Sequence, residues 1–193
     1  MENYYFCKLI LKENMKAVIG MCLTELISSK FGKNKLKLIL EEAKLPDLEK
    51  NLLPTLDIPD EQILSVVTTT CKIMKISLDE LGDMFGEYWC RNYITGIYSA
   101  YYKDAKNAKD FLLKMKRIHT AVTNRIPNAK PPDFDYVDET PGRLIMKYYS
   151  DRNLQPIWLG CIRGIGLIFN EKLNINIIDN ITVEIVFLSD IDA

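Results

Sequence analysis

The sequence is poor in residues that bind metals or form cross-links. It contains a single histidine, His119, in 193 residues. No two of its cysteines form a Cys-x-x-Cys pair, which argues against a structural zinc site. An odd, dispersed set of thiols also suits a reducing cytoplasm better than a disulfide framework. The five cysteines are Cys7, Cys22, Cys71, Cys90 and Cys161.

The chain also lacks an excess of charge and any long apolar run. It has 25 basic and 26 acidic residues, so it offers no strongly basic face for nucleic acid. No apolar run approaches the roughly 18 residues that a membrane helix needs. The first residues carry Glu2 and no basic cluster, unlike a signal peptide. We therefore expect a soluble cytoplasmic protein with neither nucleic acid nor membrane as a partner.

The spacing of apolar residues predicts one folded domain of two parts. Helical spacing dominates the first two-thirds, whereas residues 143–150 and 181–189 have the β-branched and aromatic composition of strands. An apolar helix is predicted between them, at 154–172. This order predicts an α+β fold with a helical amino-terminal lobe followed by a small antiparallel sheet with a helix. The predicted helices of the first lobe cover 18–31, 33–45, 58–74, 77–93 and 104–126.

His119 lies within the last of these helices, on the face that also carries Leu112, Met115, Val122 and Ile126. A neutral imidazole in an apolar setting is what a heme iron needs as an axial ligand. A core histidine satisfied by one hydrogen bond fits the same pattern. The position of His119 alone does not decide between the two interpretations.

A second group of polar residues follows some thirty residues later. If residues 144–152 form a strand, Tyr148, Ser150 and Arg152 alternate onto one face, and we call these three residues the anchor row. Two hydroxyls and one guanidinium suit a pair of carboxylates. The solvated face of an edge strand is the alternative. Together with His119, the anchor row has the parts of a heme pocket, with iron on the imidazole and the propionates on the row.

These residues resemble the heme-nitric oxide/oxygen binding (H-NOX) domain family, which includes the heme domain of soluble guanylyl cyclase. Tyr148-x-Ser150-x-Arg152 matches the family's Y-x-S-x-R motif, and "MKRIHTAVTNRIPNAKPPDF" is similar to its proximal-histidine helix and Pro-Pro turn. "FGEYW" and "MKAVIGMCLTELISSKFG" resemble further stretches of the family. The resemblance implies an H-NOX-like sensor domain over residues 15–193, after an amino-terminal extension, 1–14, of unassigned role.

The resemblance also implies a cofactor and residue roles. Heme b (iron protoporphyrin IX) is expected between the two lobes, with His119 as its proximal iron ligand and the anchor row on its propionates. Pro132 is expected to pack against the porphyrin and distort it. On the distal side, Ile157 aligns with the tyrosine that donates a hydrogen bond to oxygen in oxygen-binding members. Leu23 takes another distal place and Trp89 offers an indole N–H, although ordinary core packing is the alternative for all three and is favoured for Leu23.

The implied function is sensing rather than catalysis. We expect nitric oxide and carbon monoxide to be bound in preference to oxygen, and relaxation of His119 and the porphyrin to signal to a partner such as a cyclase, histidine kinase, diguanylate cyclase or chemotaxis receptor. The sequence has no activated nucleophile, and a peroxidase would need a second histidine. An oxygen-binding sensor and a heme-free interaction module of the same fold are the alternatives.

Overall fold

Helices make up most of the described chain before residue 126, and strands with one further helix make up the rest. The computed structural model describes residues 13–96, 98–137 and 140–188, so the predicted extension lies outside the described residues except for its last two. The elements are β1 (Asn14–Lys16), α1 (Ala17–Phe31), α2 (Lys33–Glu42), β2 (Asp57–Pro59), α3 (Asp60–Met74), α4 (Leu78–Trp89), α5 (Ser99–Lys103), α6 (Ala108–Arg125), β3 (Asp133–Val137), β4 (Arg143–Tyr149), α7 (Gln155–Phe169), β5 (Lys172–Ile177) and β6 (Thr182–Leu188).

The predicted α+β class is confirmed. Every predicted helix and strand is present, although α6 begins four residues later than the periodicity predicts, because Asn107 accepts a hydrogen bond from the Asp110 N–H at 2.7 Å and caps it there. At the start of α4, Ser77 and Glu80 form the capping box that their spacing predicts. The last turn of α4 continues as one turn of π-helix at Cys90–Ile94.

Two antiparallel sheets hold the extended segments. β1 pairs with β2, and the larger sheet has the strand order β3-β4-β6-β5. The sequence analysis did not predict β3 and β5, the two edge strands of that sheet. In the register of β3 with β4, Phe134 lies opposite Tyr148, so an aromatic side chain is placed beside the first member of the anchor row. Tyr148, Leu144 and Met146 are the buried residues of β4.

Helices α4 and α7 pack with their backbones in contact. Each carries two glycines four residues apart, which lie on one face of the helix. A Cβ atom added to Gly160 would lie 1.9 Å from the carbonyl oxygen of Gly82, and one added to Gly86 would lie 2.0 Å from the carbonyl of Gly160. Gly164 makes a similar approach to Gly86. These two helices can approach this closely because glycines without side chains face each other at the contact.

We expect Gly160→Ala to lower the free energy of unfolding by about 2–3 kcal/mol, because rigid backbone opposes the new methyl group. Thermal or urea unfolding followed by circular dichroism would measure this change. Gly20→Ala in α1 is the matched control, since its Cβ would meet the flexible tip of the Ile63 side chain at 2.7 Å. A loss at Gly160 no larger than that at Gly20 would contradict the packing described for α4 and α7.

Helix α7 lies between two hydrophobic clusters. One cluster gathers buried residues of α1 to α4, including Leu23, and Ile157 packs against it. The other joins α6, the sheet and α7, and includes Tyr148 and Trp158. Trp89 packs against both. Leu23 and Ile157 thus pack in the helical part, Trp89 contacts both parts, and the anchor tyrosine belongs to the mixed part. Among the described helices, none has both the length and the apolar content required to cross a bilayer.

Candidate functional site

His119 is held in one tautomer by the turn that follows its own helix. Its Nδ1 lies 2.7 Å from the carbonyl oxygen of Pro132. Because a carbonyl can only accept, Nδ1 carries the proton and donates it, and the lone pair is left on Nε2. A hydrogen bond of this kind, from the ring nitrogen that does not bind the metal, orients most metal-binding histidines. Pro132, predicted as a packing residue, therefore also has a polar role that the sequence did not reveal.

The surroundings of His119 favour its neutral form. Burial lowers the pKa of His119 below its usual value, and this effect outweighs the Pro132 hydrogen bond and the Asp133 charge, which raise it. The imidazole also lies against Phe134 of β3, with ring centroids 5.3 Å apart. A neutral imidazole with an available Nε2 is a competent ligand for a metal ion.

The anchor row does not lie on a single strand face. Only Tyr148 belongs to β4, which ends at Tyr149, and Ser150 and Arg152 lie in the turn before α7. The predicted alternation is therefore wrong for the last two residues. The chain must reverse here to begin α7, and Asn153 adopts a left-handed conformation with φ of 50°. The turn still keeps the row together, since the Arg152 N–H donates to Ser150 Oγ at 3.3 Å.

Arg152 connects three separate segments around the site. Its Nε donates to Asp60 Oδ2 at 2.7 Å, at the start of α3. Its Nη1 donates to the Lys130 carbonyl at 2.7 Å, and its Nη2 to the Asn14 carbonyl at 3.0 Å. A guanidinium has five N–H donors, so two of them keep no partner among the described residues and are available to an anion. Asp60, 92 positions away in sequence, is a functional candidate that the sequence analysis missed.

Two buried polar atoms without a partner in the described part of the chain both lie beside the anchor row. They are Asp60 Oδ1, on the carboxylate that pairs with Arg152, and Trp158 Nε1. The Trp158 ring stacks on Tyr148, with centroids 4.9 Å apart and planes 14° from parallel. Buried polar groups are seldom left unpaired, because their desolvation is then uncompensated. The orphan N–H and the spare guanidinium donors fit a bound carboxylate, whereas Asp60 Oδ1 requires a donor such as water.

The predicted distal residues are apolar or occupied in packing. Leu23 is fully buried in α1, and Ile157 packs against the same cluster. Trp89 stacks between Phe85 and Tyr93, with centroid distances of 6.1 and 4.9 Å. Neither Leu23 nor Ile157 offers a hydrogen-bond donor. This part of the site is therefore a hydrophobic surface.

Cys161 is a further residue at this surface that the sequence analysis did not single out. It lies one helical turn after Ile157 on α7, and its packing is with the same cluster. Burial raises the pKa of Cys161 to about 12, so it remains a neutral thiol. No cluster of three His, Cys, Asp or Glu side chains in the described residues is placed to hold a metal ion.

A cavity of about 400 Å³ lies apart from these residues, between the segment that follows α2 and strand β2. Its lining includes Leu45, Leu48 and Ile58, together with charged Lys44 and Asp57. None of the predicted site residues contributes to it.

The fold and these residues together define a class: an α+β domain with one neutral imidazole on α6, hydroxyl and guanidinium donors between β4 and α7, and apolar side chains on α1 and α7. The model of the haem-NO-binding family matches residues 16–177, and the chain belongs to that family. No curated protein sequence matches it.

Solved structures show the same fold. An H-NOX protein from S. oneidensis in the Fe(II)NO ligation state superposes with a TM-score of 0.81 at 14% identity, over 91% of this chain and 100% of that chain. The Fe(II) unliganded H-NOX protein from K. algicida gives 0.79 at 20%, over 91% and 98%. An oxygen-binding H-NOX domain related to soluble guanylate cyclases, in its oxygen complex, gives 0.78 at 19%, over 91% and 96%. Two of these structures share the fold although one carries nitric oxide and the other oxygen.

Proposed function

We propose that this protein binds heme b at His119 and senses nitric oxide and carbon monoxide. The observation that carries the proposal is the 2.7 Å contact between His119 Nδ1 and the Pro132 carbonyl, which leaves Nε2 free in a half-buried setting. Membership of the haem-NO-binding family supports the same cofactor. Ferrous heme supplies an iron centre that binds diatomic gases.

Each site residue has a defined task in this proposal. His119 holds the iron through Nε2, and the Pro132 carbonyl keeps the imidazole oriented while the proline ring packs against the porphyrin. The Tyr148 and Ser150 hydroxyls and the two spare N–H groups of Arg152 bind the propionates. The arginine is already rigidly placed by its three protein acceptors, so little side-chain freedom is lost on binding.

Ligand choice follows from the apolar distal residues. Nitric oxide binding to ferrous heme needs little help from a pocket, whereas oxygen binding is favoured by a hydrogen-bond donor. Ile157 and Leu23 provide none, and Trp89, whose ring stacks between Phe85 and Tyr93, carries the one N–H among the three predicted distal side chains. A hydrogen bond to a strongly polar partner contributes on the order of 1–3 kcal/mol, or about tenfold per 1.4 kcal/mol. The lack of a hydrogen-bond donor on Ile157 and Leu23 therefore favours the binding of nitric oxide and carbon monoxide over that of oxygen.

The signal is expected to leave the site through helix α6 and the turn after it. His119 and Pro132 form a direct link between α6 and the beginning of β3. Lys116, one turn earlier, adds salt bridges to Asp133 and Asp135 at 3.2 and 3.4 Å. Displacement of the imidazole would thus shift the edge of the larger sheet. Regulation requires a signalling protein that binds the two states with different affinity.

Absorption spectroscopy of the purified, reduced protein tests this function. We expect the Soret band to shift on addition of nitric oxide and to stay unchanged over short times in air-saturated buffer. A stable oxy spectrum would instead favour the oxygen sensor, and Trp89→Phe would then reveal whether its indole supplies the donor. A colourless protein that takes up no hemin would refute the proposal and favour an interaction module.

A further inference from the structure

Trp158 is a buried indole whose polar atom has no partner. The residue lies in the first turn of α7 and is 7% exposed. Its Nε1 is shielded from solvent and makes no hydrogen bond to any described residue. Its ring stacks on Tyr148, with centroids 4.9 Å apart and planes 14° from parallel, and Phe134 lies at 6.4 Å with its plane 27° from parallel. Stacking buries the apolar face of the indole ring but provides no hydrogen-bond acceptor for the N–H at the ring edge.

An indole N–H can only donate, and buried tryptophans usually find an acceptor for it. Phenylalanine would also pack against Tyr148 and Phe134, without an unpaired donor. The presence of a donor at this position is therefore explained best by an acceptor that is bound in the working form of the protein. The Asp60 carboxylate pairs with Arg152 through Oδ2, and its Oδ1 makes no hydrogen bond to Trp158.

We propose that Trp158 is a fourth member of the anchor row, whose indole N–H donates to a porphyrin carboxylate beside Tyr148. This inference rests on the proposed function and adds a residue outside the Tyr-x-Ser-x-Arg motif to its cofactor site. A carboxylate is an acceptor with several lone pairs, so one acid group can accept from the indole and from a hydroxyl or guanidinium together. The Tyr148–Trp158 stack holds both donors in a fixed mutual position.

Trp158→Phe removes the donor and keeps an aromatic ring in the stack. We expect the variant to lose heme to an excess of apomyoglobin about three to ten times faster than the parent, the effect of one hydrogen bond. The same comparison with heme dimethyl ester, which has no carboxylate, should show no such difference. Tyr102→Phe is the control: it removes a hydrogen bond to the Ile168 carbonyl, at the opposite end of α7 from Trp158, and should leave the rate of heme loss unchanged.

A second measurement uses the parent protein and does not depend on how the variant folds. The chain has only two tryptophans, so the indole ¹H–¹⁵N spectrum has two signals, which Trp89→Phe assigns. On addition of diamagnetic zinc protoporphyrin, the Trp158 signal should move downfield and its proton should exchange more slowly with solvent.

Different failures have different meanings. Equal rates of heme loss from parent and Trp158→Phe, an equal difference with the diester, or an indole signal unaffected by the porphyrin would each overturn the role of Trp158 alone. A parent protein that takes up neither heme nor zinc protoporphyrin would overturn this inference together with the proposed function.

Discussion

His119→Ala should abolish the five-coordinate ferrous heme spectrum and weaken heme binding by more than about 100-fold. Loss of a group that only orients a metal ligand already lowers metal affinity by about 10- to 100-fold, and this change removes the ligand itself. The sequence offers no second histidine as a replacement. Absorption spectra and heme titration of the reduced variant would measure the effect, and circular dichroism would verify that α6 is retained.

Two comparisons make this result specific. His119→Gly with added imidazole should recover the spectrum, because the free ligand can enter the space of the lost ring. Thr120→Ala, at the exposed neighbouring position, should behave as the parent does. An alanine variant that keeps the parent's spectrum with no substitute ligand would eliminate His119 as the iron ligand and the proposed function with it.

Arg152→Gln should lower the free energy of unfolding of the heme-free protein by about 3–5 kcal/mol. The Arg152 and Asp60 side chains form a salt bridge at 2.7 Å and are each 12% exposed. Removing one partner of a buried pair leaves the other charge without compensation, which is what makes such changes costly. Urea unfolding of the heme-free protein would give this value, and heme loss from the loaded variant should also be faster.

A surface pair of the same residue types provides the control. Arg163 pairs with Asp83, but their side chains are 45% and 49% exposed, so Arg163→Gln should cost less than about 1 kcal/mol. Adding Asp60→Asn to Arg152→Gln should recover part of the lost stability, because the uncompensated carboxylate disappears. If the two arginine variants lost the same free energy of unfolding, the Arg152–Asp60 pair would contribute no more to stability than an exposed pair does.

The helices were predictable because their information is local. Apolar spacing located α1, α3 and α7, and the Ser77–Glu80 spacing located the start of α4, since caps and periodicity depend on residues three or four positions apart. The edge strands β3 and β5 escaped prediction. Both are short, and polar and charged residues alternate through them, so a strand becomes evident only when its neighbour in the sheet is known.

The candidate site also contains residues that the sequence identifies and residues that are recognised only in the folded structure. Its principal members, His119 and the anchor row, were found in the sequence because a motif and a family resemblance mark them, and their roles remain predictions. Asp60 and Trp158 carry no such mark. Asp60 is 92 positions from Arg152, and Trp158 stands out only because its Nε1 has no partner among the described residues after folding.

The order of residues by itself determined the class of fold, the single imidazole and the presence of hydroxyl and guanidinium donors after β4. The tertiary structure alone decided which nitrogen of His119 is free, which acceptors hold Arg152 and which donor stays unpaired. The reason is physical: helix and strand preferences act between near neighbours, whereas hydrogen bonds and burial join atoms that meet only when distant segments pack.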